Sequence, residues 1–263
     1  MHAPGATERY AIGSNVGAAP AGVRGYSDPG GVAEMVRVAL AVNAVVSLLV
    51  AAAAMSYLSA LGGVGGSFGS LGDIQTAAHR LDVGDGISFW AWVLCAAGFV
   101  VCTHRTYRNL GTLGASGLRF RGGWAIGGWF VPVLAVWRPK QILNDTWRAS
   151  ERDLPASTDR EAWGGRSTPF LMTAWWVLWI VGAFAERVSV QLGSNTLDSA
   201  RTTLGIRVGG GICLAAAAVL GVWFVGALTE RQQERARQLS DLGGFGVASV
   251  APGPAPEAPR LPA

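Results

Sequence analysis

Residues Arg119 to Ser150 read RFRGGWAIGGWFVPVLAVWRPKQILNDTWRAS. How this stretch meets a membrane decides the fold. It begins basic, runs apolar and Gly/Trp-rich from Gly122 to Trp137, and breaks at Pro132. It leaves through Arg138, Pro139 and Lys140 into a polar segment with helical spacing. As an unbroken helix, Gly122 to Trp137 would be about 24 Å long. That falls short of a hydrocarbon core of about 30 Å, and Pro132 removes a donor and kinks the path. The stretch is therefore predicted to dip in and return, as a re-entrant or interfacial segment over 122–137. Beyond it, Ile142, Leu143, Thr146 and Trp147 share one helical face, while Gln141, Asn144, Asp145 and Arg148 fall elsewhere. This spacing predicts an amphipathic helix over 139–151 lying on the inner leaflet. Trp124, Trp129, Trp137 and Trp147 are its expected interfacial anchors.

Composition supports a membrane setting. Half the residues are apolar and 14% are charged, against about 25% charged in soluble domains. The net charge of +4 is carried almost wholly by arginine, since Lys140 is the lone lysine. These arginines flank apolar runs, as topogenic residues do, so no nucleic-acid partner is expected. Cys95, Cys102 and Cys213 all lie in apolar runs and read as small buried side chains. On one helix Cys95 and Cys102 would be about 10.5 Å apart along the axis, too far for a disulfide.

The remaining chain divides around four apolar runs, at about 38–61, 87–103, 169–185 and 208–228, inside a membrane domain over 31–240. Each has the length or apolar character of a spanning helix. Residues 1–30 and 241–263, rich in Gly, Ala and Pro, are predicted disordered. The first apolar run is too long, and starts too late, for the core of a cleavable signal peptide. The 62–86 connection is glycine-rich and acidic, with room for a short surface helix over Leu71 to Leu81. Gly205 and Gly209 stand in the small-xxx-small spacing that lets helices approach, followed by Gly210 and Gly211.

Arginine placement sets the expected topology. The 104–121 and 138–168 connections are rich in arginine; 62–86 and 188–207 are not. With basic loops inside, both flanks of the central segment are cytoplasmic and four spans leave both termini cytoplasmic. The five-span alternative places one strongly basic flank outside.

The motif W-A-x-G-G-W-F-x-P at Trp124 to Pro132, W-R-P at Trp137 to Pro139 and W-x-A-S at Trp147 to Ser150 resemble the signature of the domain-of-unknown-function 4328 family. The resemblance runs over roughly Val32 to Arg237, with Ala135 standing where the family pattern is expected to carry Asn. It implies a bacterial multi-pass membrane protein and assigns no activity.

The spans hold no GxSxG, HExxH or carboxylate pair, so neither an enzyme, a cofactor nor a metal site is expected. Glu186 and His104 are acid–base candidates at membrane edges, expected on opposite sides. The function expected is that of a structural or interaction module in the cell membrane. It would engage anionic lipid or a membrane partner, a second copy included, through Trp124, Trp129, Trp137, Arg138 and Trp147. Arg138 suits a lipid phosphate because a guanidinium binds it with two parallel donors. The alternative is a small transport or channel module whose path is lined by 122–137.

Overall fold

The computed structural model describes residues 25–62, 66–192 and 195–248, with side chains as far as 242. The disorder expected for 1–24 and 249–263 lies outside these residues. Among the described residues there are seven α-helices: α1 Gly30–Ala60, α2 Leu71–Thr112, α3 Trp124–Gly127, α4 Arg138–Ala149, α5 Arg160–Gly164, α6 Phe170–Leu192 and α7 Leu197–Ala248. Four of them, α1, α2, α6 and α7, are long and apolar enough to cross a membrane. Their outward faces are apolar too. Val38, Val42, Val45, Leu48 and Leu49 of α1 are all exposed, a surface that water disfavours and lipid does not. The protein is an all-α, membrane-embedded bundle.

Within it, α1 packs against both α2 and α7, and α7 packs against α6. The fourth side is closed by rings: Phe99 of α2 stacks on Trp175 of α6 with centroids 5.5 Å apart. The small residues act where helices cross. A Cβ at Gly182 of α6 would lie 2.7 Å from Leu214 Cγ, one at Gly210 2.9 Å from Ala185 Cβ, and one at Gly211 3.0 Å from Ala51 Cβ. Gly205 and Gly209, the pair with the expected spacing, have nothing near their missing side chains. The spacing was right in kind but fell on the wrong face of α7.

The helices outrun the expected spans. α2 starts at a capping box, where Ser70 Oγ accepts from the Asp73 amide at 3.2 Å and Asp73 accepts from the Ser70 amide at 3.0 Å. It then continues unbroken through Gly84 and Gly86, so most of the acidic connection is helix. Packing overrides the local preference of about 1 kcal/mol per glycine: Leu81 is buried with Val50, Ala54 and Leu204. Similarly, α6 and α7 shorten the 188–207 connection to a few residues, and α7 continues to Ala248, into the stretch expected to be disordered. At the other end, order reaches back before residue 30. The Ser27 amide donates to Asn109 Oδ1 at 3.2 Å and the Ser27 carbonyl accepts from Asn109 Nδ2 at 2.9 Å.

The two basic connections are not loops but a folded cap with its own core. Tyr107, Leu110, Ala115, Ala125, Ile142, Ala149, Leu154 and Trp163 are buried together. Ala115 and Thr158 form a parallel bridge, with the Ser116 amide on the Thr158 carbonyl at 2.8 Å and the Thr158 amide on the Gly114 carbonyl at 2.9 Å. Gly114 is required there: its φ is +87°, and a Cβ would sit 1.9 Å from the Ala156 carbonyl oxygen.

Candidate functional site

The central segment starts beside the C-terminal end of α2, where His104 Nδ1 lies 3.1 Å from the Gly122 carbonyl oxygen. One turn of α3 follows, then a series of turns around Pro132, a 3-10 turn at Leu134–Val136, and α4. The two ends meet. The guanidinium carbon of Arg138 lies 4.4 Å from the Phe120 ring centroid and 5.3 Å from that of Trp124. The residues flanking the segment thus lie together, at one end of the bundle. Trp176 Nε1 of α6 donates to the Val136 carbonyl at 3.1 Å and fixes the returning limb.

The tip of this wedge is apolar and uncovered: Phe130 is 73% exposed and Val133 67%. Trp129 turns inward. Its ring meets Phe99 edge-on at 5.7 Å and Trp179 at 6.0 Å, filling the gap between α2 and α6. Trp124 and Trp137 remain partly exposed on the flanks.

α4 buries Ile142, Leu143, Thr146 and Trp147, the face the spacing picked out. Protein covers that face, not the inner leaflet. Leu143 and Trp147 join the bundle core with Met172 and Phe224, and Ile142 joins the cap core. The reason is that α4 is wedged between the cap and α7. Arg231 of α7 places its guanidinium carbon 4.6 Å from the Trp147 ring and donates through Nε to the Trp147 carbonyl at 3.2 Å. Asp145, assigned to the polar face, is also buried, 3.4 Å from Arg119 Nε. Burial pushes its carboxyl pKa up, opposed by Arg119, Arg160 and Arg148.

The five residues singled out in the sequence therefore separate. Trp124 and Arg138 form one stack, Trp137 sits exposed on the flank of the same wedge, Trp129 belongs to the bundle interior, and Trp147 to the α4–α7 contact. Around the wedge the surface is cationic. A groove of about 400 Å³ beside its first residues is lined by His104, Arg108, Gly122 and Gly123, among others. On α4, Lys140, Asn144 and Arg148 follow one another at successive turns. Their Nζ, Oδ1 and Nε atoms are buried and have no hydrogen-bond partner. Burial, and secondarily Arg148, lowers the Lys140 pKa to about 8.

Sequence reading missed the residues that hold the cap to the bundle. Gln232 of α7 donates to the Thr106 carbonyl at 2.8 Å and to Ser150 Oγ at 3.1 Å, and accepts from Asn109 Nδ2 at 3.2 Å. Arg235, fully buried, donates to the carbonyls of Arg152, Leu154 and Pro155. The available signal was spacing: Leu228, Gln232 and Arg235 continue the buried stripe of the span into a charged helix. At the far end of the bundle, Arg207 of α7 pairs with Asp85 of α2 and lies 3.9 Å from Glu186 of α6. Asp85 and His104 are separated on one helix by about 28 Å, which puts Glu186 and His104 at opposite ends.

The family model described as Domain of unknown function (DUF4328) matches residues 69–230, which is more than half of the chain. No curated protein matches, and no solved structure matches.

Proposed function

The chain belongs to the DUF4328 family of unknown function, and on that premise we propose that it is a non-catalytic module of the cell membrane. In this reading both termini are cytoplasmic, and the central wedge engages anionic lipid of the inner leaflet. One observation carries it: the wedge has an uncovered apolar tip, Phe130 and Val133, and is followed in the chain by a guanidinium already held by two rings. Apolar side chains at such a tip gain by entering lipid, and an arginine at the end of the same segment gains from phosphate. Arg138 is preorganised, so less side-chain entropy is lost on binding. The groove adds the charge of Arg108, of the same sign.

The test places a fluorophore at Val133→Cys in a Cys213→Ser background, with the full chain in vesicles. Quenching by spin-labelled phosphatidylglycerol is expected to exceed quenching by spin-labelled phosphatidylcholine, and Arg138→Gln to remove the difference. Equal quenching by both lipids in the parent protein would sink the proposal. A membrane protein, a second copy included, is the other occupant of this surface; crosslinking in intact membranes separates the two. The transport reading has one supporting feature, since Trp129 of the wedge lines the bundle cavity described next. Ion or solute flux through liposomes carrying the chain, changed by Trp129→Ala, is the outcome it requires.

A further inference from the structure

α2 and α6 part beyond Phe99 and Trp175, and a cavity of about 770 Å³ lies between them. Its back wall comes from α1 and α7, through buried Leu40, Ser47, Ala217 and Ala218. Its floor is aromatic: Phe99, Trp129 and Trp175. Its side is open, because Phe89 and Trp92 of α2 and Ala183 and Val190 of α6 line it and are themselves exposed. That opening faces the surroundings of the bundle, which for a membrane-embedded chain are lipid. Lining positions recur with helical period along α2 from Asp85 to Val100 and along α6 from Trp175 to Val190. Either run rises about 22 Å, longer than one leaflet, which is half of a hydrocarbon core of about 30 Å.

The lining carries formal charge at one end only, the end remote from the basic cap. Asp85, Glu186, Arg187 and Arg207 gather there. Asp85 and Glu186 share the single guanidinium of Arg207. Two carboxylates on one cation leave one negative charge over. Arg187, next to Glu186 and exposed, makes no ion pair among the described residues. The end of the cavity thus offers an unbalanced carboxylate and a free guanidinium on neighbouring residues. A head bearing both an ammonium and a phosphate is its complement.

We propose that this cleft binds one zwitterionic phospholipid from the side, with an acyl chain between α2 and α6 and the headgroup on Glu186 and Arg187. A primary ammonium donates hydrogen bonds to carboxylates, and a quaternary one has no N–H to donate. Phosphatidylethanolamine is therefore the preferred ligand over phosphatidylcholine. Trp129 of the wedge floors the cleft, but the headgroup end at Glu186 and Arg187 lies at the other end of the bundle from Arg138, and the proposal stands or falls independently of the anionic-lipid reading.

The experiment uses the full chain, purified in mild detergent and equilibrated with mixed micelles of phosphatidylethanolamine, phosphatidylcholine and phosphatidylglycerol. Native mass spectrometry then counts what is retained. The expected result is one retained phosphatidylethanolamine. Ala96→Trp and Ala183→Trp, which plug the cleft from opposite walls, are expected to lose it. Ala183 is exposed, so its replacement leaves the packed faces of α6 intact. Glu186→Gln is expected to keep a bound lipid and lose the preference for ethanolamine. The proposal is overturned if the parent chain retains no lipid or prefers phosphatidylglycerol, if both tryptophan variants retain lipid as the parent does, or if Glu186→Gln still prefers ethanolamine.

Discussion

Replacing Arg235 with Met isolates what ties the cap to the bundle. Arg235 is fully buried, and its guanidinium donates to the carbonyl oxygens of Arg152, at 3.1 Å, Leu154 and Pro155, with Gln238 Oε1 at 3.4 Å. Methionine fills most of the aliphatic volume, so cavity formation contributes little. The loss is polar. Leu154 is buried, while Arg152 and Pro155 are exposed residues, so the Leu154 carbonyl is the one counted as orphaned. One orphaned buried carbonyl costs about 1–3 kcal/mol. Hydrogen bonds to a charged donor add to this, and removing the desolvated guanidinium gives part back. The net is about 2–4 kcal/mol, roughly a 30- to 1,000-fold rise in the local opening equilibrium. Hydrogen exchange on the full chain in detergent reads it directly. Amides of 151–160 are expected to exchange faster by that factor, with α1 and α6 unchanged. Arg235→Lys is expected to fall between the two, because an ammonium lacks the planar fork that spans three carbonyls. A change smaller than about threefold, or one spread evenly over α6 and α7, would refute the view that this residue clamps the cap.

Two further outcomes are expected. Trp163 is fully buried in the cap core and donates through Nε1 to the Ser116 carbonyl at 3.1 Å; Trp163→Ala is expected to cost about 3–5 kcal/mol. Trp163→Phe is expected to cost less, and chemical denaturation followed by exchange at 114–118 ranks the pair. Lys140 has its pKa lowered from 10.5 to about 8, so between those values the unfolded chain binds the extra proton and stability rises with pH. Below about 8 the buried ammonium is charged in both states, and the full destabilisation is present. Lys140→Gln is expected to flatten the rise of the thermal midpoint between pH 8 and 10.5; an unchanged slope would assign it to other groups.

The four long apolar helices and the all-α class were readable from the chain because they follow from one-dimensional quantities. Run length against bilayer thickness separates 38–61 from 122–137, and Pro132 breaks the shorter run. The family motif lies in the same residues. Only tertiary structure decided which partners those residues meet. Ile142, Leu143, Thr146 and Trp147 have the same periodicity whether lipid or protein covers them, and the packing of α4 against α7 and the cap chose protein. Gly205 and Gly209 carry a contact motif, yet the rotation of α7 brings Gly210 and Gly211 to the crossing instead. The cap was hidden for a related reason. Its core is drawn from the end of α2, from α4 and α5 and from the turns between them, Tyr107, Leu154 and Trp163 among its residues, and no local pattern marks residues that bury one another only after the helices have set their ends side by side. The charged end of the cleft is the same case: Asp85, Glu186 and Arg207 lie on three helices, and their meeting is a property of the bundle.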